Sequence, residues 1–168
     1  LEIRKNLGFI APSMEHFDFS GNLTLVRSSL KMTATELRSR KNFEKIGQTI
    51  DDTREMAGQA PYIINAGLSY SNPRIGMEAG FFYNVKGRTL SVVGGGLFPD
   101  VYVQPFHSLN FNMNKAIGAQ QRMNINLHVN NILNDVREEF YSAFRSADEI
   151  FYRFSPGTEV GAGLHYTF

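Results

Sequence analysis

The chain has 168 residues, a formal net charge of +1, and neither cysteine nor tryptophan. That is one domain's length, with no basic field to draw nucleic acid, no disulfide framework and no thiolate zinc site. Mean hydropathy is −0.24 and no run approaches the roughly 20 apolar residues of a membrane helix; this excludes spanning by helices but not by strands, which carry their apolarity in every second residue.

The chain opens at Leu1 with neither a methionine nor a signal peptide, as expected of a processed chain or a part of a longer one. Leu1, Ile3, Lys5 and Leu7 alternate with Glu2, Arg4 and Asn6, which predicts the end of a strand over 1–8. Ala11 to Glu15 predicts a turn. Phe17, Phe19, Gly21, Leu23 and Leu25 then share one face and Asp18, Ser20, Asn22 and Thr24 the other, within a strand over 16–31. A long connection over 32–60 mixes charges of both signs, with a short helical turn expected between Thr33 and Lys45.

A third strand, over 61–71, carries Tyr62, Ile64, Ala66, Leu68 and Tyr70 on its apolar face. Asn72, Pro73 and Arg74 make a tight turn, because proline fixes φ and asparagine tolerates turn geometry. The chain returns over 75–93 with Met77, Ala79, Phe81, Tyr83 and Val85 on one side and Glu78, Gly80, Phe82, Asn84, Lys86 and Arg88 on the other. Near Gly87 a bulge is expected to shift the register, so that Leu90 and Val92 take over the apolar role. Gly94, Gly95 and Gly96 lack the Lys-Ser/Thr of a phosphate loop and read as a flexible entry to the connection over 94–105.

The next two strands, over 105–115 and 122–134, set His107, Leu109, Phe111 and Met113 and then Met123, Ile125, Leu127 and Val129 against Ser108, Asn110, Asn112, Asn114, Asn124, Asn126, His128 and Asn130. Their turn falls around Ile117, Gly118 and Ala119. A long connection over 131–155 precedes the last strand, over 156–168, where Val160, Ala162, Leu164, Tyr166 and Phe168 oppose Glu159, Gly161, Gly163, His165 and Thr167.

A soluble sandwich, with its apolar face as core, satisfies the same alternation. Short turns at one end, long connections at the other and aromatics near the strand ends are instead the pattern of outer-membrane barrels. Seven strands are an odd number, and an open sheet edge is unstable in lipid, where each unpaired backbone group costs several kcal/mol. The expectation is therefore all-β: an antiparallel transmembrane β-barrel segment contributing seven strands to a larger barrel.

Five pieces of sequence, in order, carry a resemblance. They are Gln59-Ala-Pro-Tyr-Ile-Ile-Asn-Ala-Gly-Leu68, Phe82-Tyr-Asn-Val-Lys-Gly-Arg88, Pro99-Asp100 with Pro105-Phe-His-Ser-Leu-Asn110, Val129-Asn-Asn-Ile-Leu-Asn134, and Gly163-Leu-His-Tyr-Thr-Phe168. Together they resemble the C-terminal part of a TonB-dependent outer-membrane receptor of the kind common in Bacteroidota, over residues 1–168. The resemblance implies the last seven strands of a barrel of about 22, with plug domain and TonB box outside this chain. It further implies the outer membrane of a Gram-negative bacterium and active import of a siderophore, cobalamin, glycan or peptide. The implied partners are outer-membrane lipid, the rest of the barrel and plug, the TonB complex through residues absent here, the barrel-assembly machinery, and a surface lipoprotein. Gly163, Tyr166 and Phe168 also resemble the signal that the assembly machinery reads, although an aromatic belt alone accounts for the two rings. A rival function is a non-transporting barrel subunit that serves as a docking or assembly partner in an outer-membrane complex; a third is a soluble β-domain that binds a ligand.

Chemistry is scarce, and neither catalysis nor a cofactor is expected. His128 and His165 share the polar face at different heights, where ordinary lumen histidines are favoured over ligands for a metal. Glu138, Glu139, Asp148 and Glu149 fall in a long connection, where solvated charge is favoured over acid–base work. No serine or threonine stands in a nucleophile context. The expected lumen lining is Asn84, Lys86, Arg88, Asn110, Asn112, Asn124, Asn126 and His128. The dense loop aromatics Phe140, Tyr141, Phe144, Phe151 and Tyr152, with Phe154, either pair across a hairpin raised above the membrane or face a ligand.

Overall fold

Alternation with period two selects extended backbone, and pairing in register then brings like residues onto one face. The computed structural model describes residues 1–118, 121–141 and 147–167. Its strands, in chain order, are β1 (Glu2–Asn6), β2 (Phe17–Leu25), β3 (Leu30–Lys31), β4 (Thr53–Arg54), β5 (Tyr62–Asn72), β6 (Met77–Lys86), β7 (Thr89–Val92), β8 (Val101–Val103), β9 (Phe106–Ile117), β10 (Met123–Asn130), β11 (Arg137–Tyr141), β12 (Glu149–Phe154) and β13 (Glu159–Tyr166). A helix α1 (Ala34–Lys41) lies between β3 and β4, and two short 3-10 turns, Leu7–Phe9 and Pro12–Met14, join β1 to β2. The protein is all-β and antiparallel throughout its paired strands.

Seven strands form one sheet in the order β1-β2-β5-β6-β9-β10-β13. Each corresponds to one of the seven expected from alternation, and the register keeps the two faces separate. Phe19, Leu68, Phe81, Phe111, Val129 and Val160 lie opposite one another across six strands. One residue along, the row is Asp18, Ser69, Gly80, Asn112, His128 and Gly161. The β5–β6 turn is closed by Asn72 Oδ1, which accepts from the Arg74 amide at 3.1 Å, and by the Gly76 amide donating to the Pro73 carbonyl at 3.2 Å. Gly76 has φ +59°, and a Cβ there would sit 2.9 Å from that of Ala116, so the turn requires glycine.

The long connections are more ordered than alternation alone conveys. β7 and β8 pair as a prolongation of the β6–β9 hairpin, β11 and β12 as a prolongation of β10–β13, and β8 pairs with β11 to give a second sheet, β12-β11-β8-β7. The strand expected over 75–93 is thus divided at Gly87 and Arg88 between two sheets, and the register irregularity falls between Leu90 and Val92 rather than at Gly87. On the returning side the break falls at Gln104 and Pro105, where proline has no amide to give to a ladder.

The strand expected over 122–134 stops at Asn130 for a local reason. Asn131 and Asn134 take φ of +50° and +52°, a conformation that asparagine enters more readily than most residues. Asn131 is buried, and its side-chain amide donates to the carbonyls of Asp135 at 3.1 Å and Gly157 at 2.9 Å. Its Oδ1 accepts from the Asp135 amide at 3.1 Å, and Thr158 Oγ1 donates to its carbonyl at 2.9 Å. These bonds tie the ends of β10 and β13 together where one sheet gives way to the other. The helical turn expected after Thr33 is α1, held by a capping box: Thr33 Oγ1 accepts from the Glu36 amide and Glu36 accepts from the Thr33 amide.

Neither face of the seven-stranded sheet is covered. Among the described residues the buried apolar side chains are Met32, Ala60, Val85, Leu90 and Val101, and only Val85 belongs to that sheet. Phe81 and Leu164 are 48% and 69% exposed. Leu90, fully buried, lies in the second sheet, where it pairs opposite Tyr102, itself opposite Phe140.

Candidate ligand cleft and polar sheet face

The long connections meet around a cleft of about 740 Å³. Helix α1 supplies Ser39 and Arg40, the segment after it Phe43, Lys45 and Gln48, the β7–β8 hairpin and its flanks Arg88, Phe98, Asp100, Tyr102 and Gln104, and the β11–β12 hairpin Glu138, Phe140 and Asp148. The arrangement depends on Asp100. One of its oxygens accepts from the Gly94 amide at 2.8 Å and fixes the hairpin tip, while the other pairs with the Arg40 guanidinium and draws α1 against that tip. Gly94 is required here, because a Cβ would overlap the backbone of Phe98 and Pro99.

Every cation of the cleft has a partner. Lys45 reaches Asp148 at 2.7 Å, and Arg88 lies 3.7 Å over the Tyr102 ring. Glu138 pairs with Arg153 at 3.2 Å. Burial, with the Glu55 charge adding to it, pushes the Tyr102 phenol above its ordinary value, so it stays a neutral hydroxyl. Ser39 Oγ and Arg40 Nε are buried with no hydrogen-bond partner among the described residues, a costly state unless something else supplies one.

The expected lumen residues divide. Asn84, Lys86, Asn110, Asn112, Asn124, Asn126 and His128 share the polar face, with Asn84 donating to Asn65 Oδ1 across the sheet and Asn110 bonded to Ser108 at 3.1 Å. Arg88 lies past the end of β6 and belongs to the cleft. His128 sits opposite Gly161 and His165 opposite Asn124, four residues along β13, a separation of about 13 Å that keeps them from sharing one ion. The glycines of β13 have a steric reason: a Cβ at Gly161 would overlap the His128 ring, and one at Gly163 the Asn126 amide.

Of the expected loop aromatics, Phe140 lines the cleft. Tyr152 lines a second hollow of about 470 Å³ with Lys86, Phe106 and Arg137. Tyr141 pairs opposite Glu149 in the β11–β12 hairpin, and Phe151 is exposed. Tyr166 is exposed on the apolar face; Ala119, Phe144 and Phe168 lie outside the described residues. β11 and β12 form the expected hairpin, but Phe140 lies opposite Ile150, Tyr141 opposite Glu149 and Tyr152 opposite Glu139, so among the described residues of the hairpin the expected cross-strand pairing of aromatics does not occur. Ser39, Arg40 and Tyr102 are not singled out by pattern. The Thr33/Glu36 spacing signals the helix that carries Ser39 and Arg40, but nothing local signals their meeting with Asp100, 60 residues away.

The apolar face carries aromatic clusters near both ends. His16 and Phe17 pack on Tyr70 at 5.8 and 5.0 Å by the short turns, and the Tyr83 hydroxyl meets His107 Nδ1 at 2.6 Å towards the long connections. Phe81 and Phe111 pack between them, ring centroids 4.8 Å apart and planes tilted by 41°. Set against protein-family models, curated proteins and solved structures, the chain matches none.

Proposed function

We propose that this chain is wall, lumen lining and outer loops of an outer-membrane β-barrel importer of the TonB-dependent type, supplying seven of about 22 strands. The observation that carries the reading is a seven-stranded sheet whose apolar face has no core behind it, while its other face is a field of asparagine, serine and charge. In water a bare apolar face of that extent is a liability; in a bilayer it is the lipid contact, and the aromatic clusters near its two ends sit where interfacial girdles belong. Open edges at β1 and β13 call for further strands, since unpaired backbone is costly in lipid.

In such an importer the outer connections capture a scarce, bulky nutrient and an inner-membrane motor displaces the plug to release it inward. The chain then needs no catalytic group of its own. The test is uptake by cells expressing the intact polypeptide. Surface binding that persists under a protonophore while internal accumulation stops supports an energised importer. Accumulation that continues without the proton gradient contradicts it, and a barrel that binds a protein partner and accumulates nothing is the docking subunit instead.

A further inference from the structure

We propose that the cleft between α1 and the two outer hairpins is a subsite for an uncharged, hydroxyl-rich ligand of the oligosaccharide class. The inference rests on the importer reading and narrows its cargo. Three features of the cleft point to that chemistry.

The first is charge. Arg40 is matched by Asp100, Lys45 by Asp148, and Arg88 is laid over Tyr102. A ferric chelate with net negative charge, or a peptide with charged termini, would have to displace pairs already made. A neutral ligand faces no such cost, and it gains no advantage from an ionic field that is absent.

The second is the polar inventory. Gln48 Oε1 accepts from the Lys45 amide at 3.1 Å and Gln104 Nε2 donates to the Tyr102 carbonyl at 3.5 Å, so among the described residues the Gln48 amide is left as a donor and the Gln104 carbonyl as an acceptor, the two roles a sugar hydroxyl can meet. Ser39, a residue of the cleft wall, is 5% exposed, and its Oγ is buried behind that wall with no hydrogen-bond partner among the described residues. A ligand hydroxyl beside it would satisfy a group that otherwise stays buried and unpaired.

The third is the apolar wall. Phe43, Phe98 and Phe140 line the same space as the amides, with Phe98 76% exposed at its margin. Flat aromatic faces beside amide groups suit a ring that is apolar across its C–H face and polar around its rim. At about 740 Å³ the volume falls within the range of small-ligand sites.

The experiment uses the intact outer-membrane protein in detergent and calorimetric titration with uncharged tetra- to hexasaccharides of glucose, mannose, galactose and fructose. An anionic ferric tricatecholate and a cationic pentapeptide are titrated in parallel. The expected result is binding of at least one uncharged oligosaccharide that is insensitive to added salt, weakened about tenfold or more by Phe140→Ala or Gln104→Ala and several-fold by Ser39→Ala. Gln48→Ala, at an exposed loop position, weakens binding without threatening the fold. Failure of all the sugars to bind overturns the assignment. So does binding that none of the four variants affects, or capture of the charged probes alone with the same sensitivity to Phe140→Ala. Failure of the importer reading shows separately, as accumulation in cells that survives a protonophore.

Discussion

Arginine placed at Phe81 and at Asn112 probes the two faces of the large sheet at neighbouring rows. Phe81 lies mid-row between Leu68 and Phe111, and its ring packs tilted against that of Phe111 at 4.8 Å. If this row is near the bilayer midplane, a guanidinium there costs about 2–4 kcal/mol. Losing the aromatic pair adds about 0.5–1.5 kcal/mol, so Phe81→Arg should be destabilising by about 2.5–5.5 kcal/mol. Asn112 is exposed on the other face, opposite Gly80 and His128, where a long polar side chain has room and water. Asn112→Arg should cost under about 1 kcal/mol. Refolding of the intact protein from urea into phospholipid vesicles, followed by heat-modifiable migration, measures both. A larger loss for Asn112→Arg than for Phe81→Arg would refute the assignment of the two faces.

Gly76→Ala should lower stability in the same refolding assay by about 1–3 kcal/mol, because it forces a Cβ into a positive-φ position already crowded by Ala116; an unchanged urea midpoint would show that the turn relaxes freely. Gly161→Val should cost about 1–3 kcal/mol by overpacking against His128, and His128→Ala should recover part of that loss, as a double-mutant cycle would record. Hydrogen bonding from the Thr33 amide, reinforced by Arg54, holds the Glu36 carboxyl below its ordinary value. Its contribution is therefore complete above the unfolded-state value of about 4.3 and is lost as pH falls through the lower folded value. Amide exchange over 33–42, corrected for intrinsic rates, should lose protection only in that acid window; loss that begins at neutral pH would contradict the cap.

The seven strands of the large sheet are legible in the sequence because each carries its own period-two pattern, and Asn72 with Pro73 marks a turn from local chemistry alone. Strand ends are less legible where they depend on distant partners. β10 ends at Asn130 because the Asn131 side chain finds carbonyls at Asp135 and Gly157, and the second of these lies 26 residues on. β6 and β7 look like one strand with a bulge near Gly87; only pairing with β8 and β11 shows that a second sheet begins. The cleft is least legible. Ser39 and Arg40 of α1 and Asp100 of a loop show no pattern of their own until three connections converge, and convergence leaves no periodic trace.

Spin labels on single cysteines, which this chain's lack of native cysteine permits, would tell whether one face of the seven-stranded sheet meets lipid and the other water. Labels at Leu68, Phe81, Phe111 and Val160 on one row, and at Ser69, Asn112 and His128 on the next, would be compared in the intact protein in vesicles for collision with oxygen and with a water-soluble nickel chelate. High oxygen and low nickel accessibility are expected for the first set and the reverse for the second. Equal nickel accessibility on both rows would mean that the apolar face is not in a membrane, and the barrel would have to be abandoned.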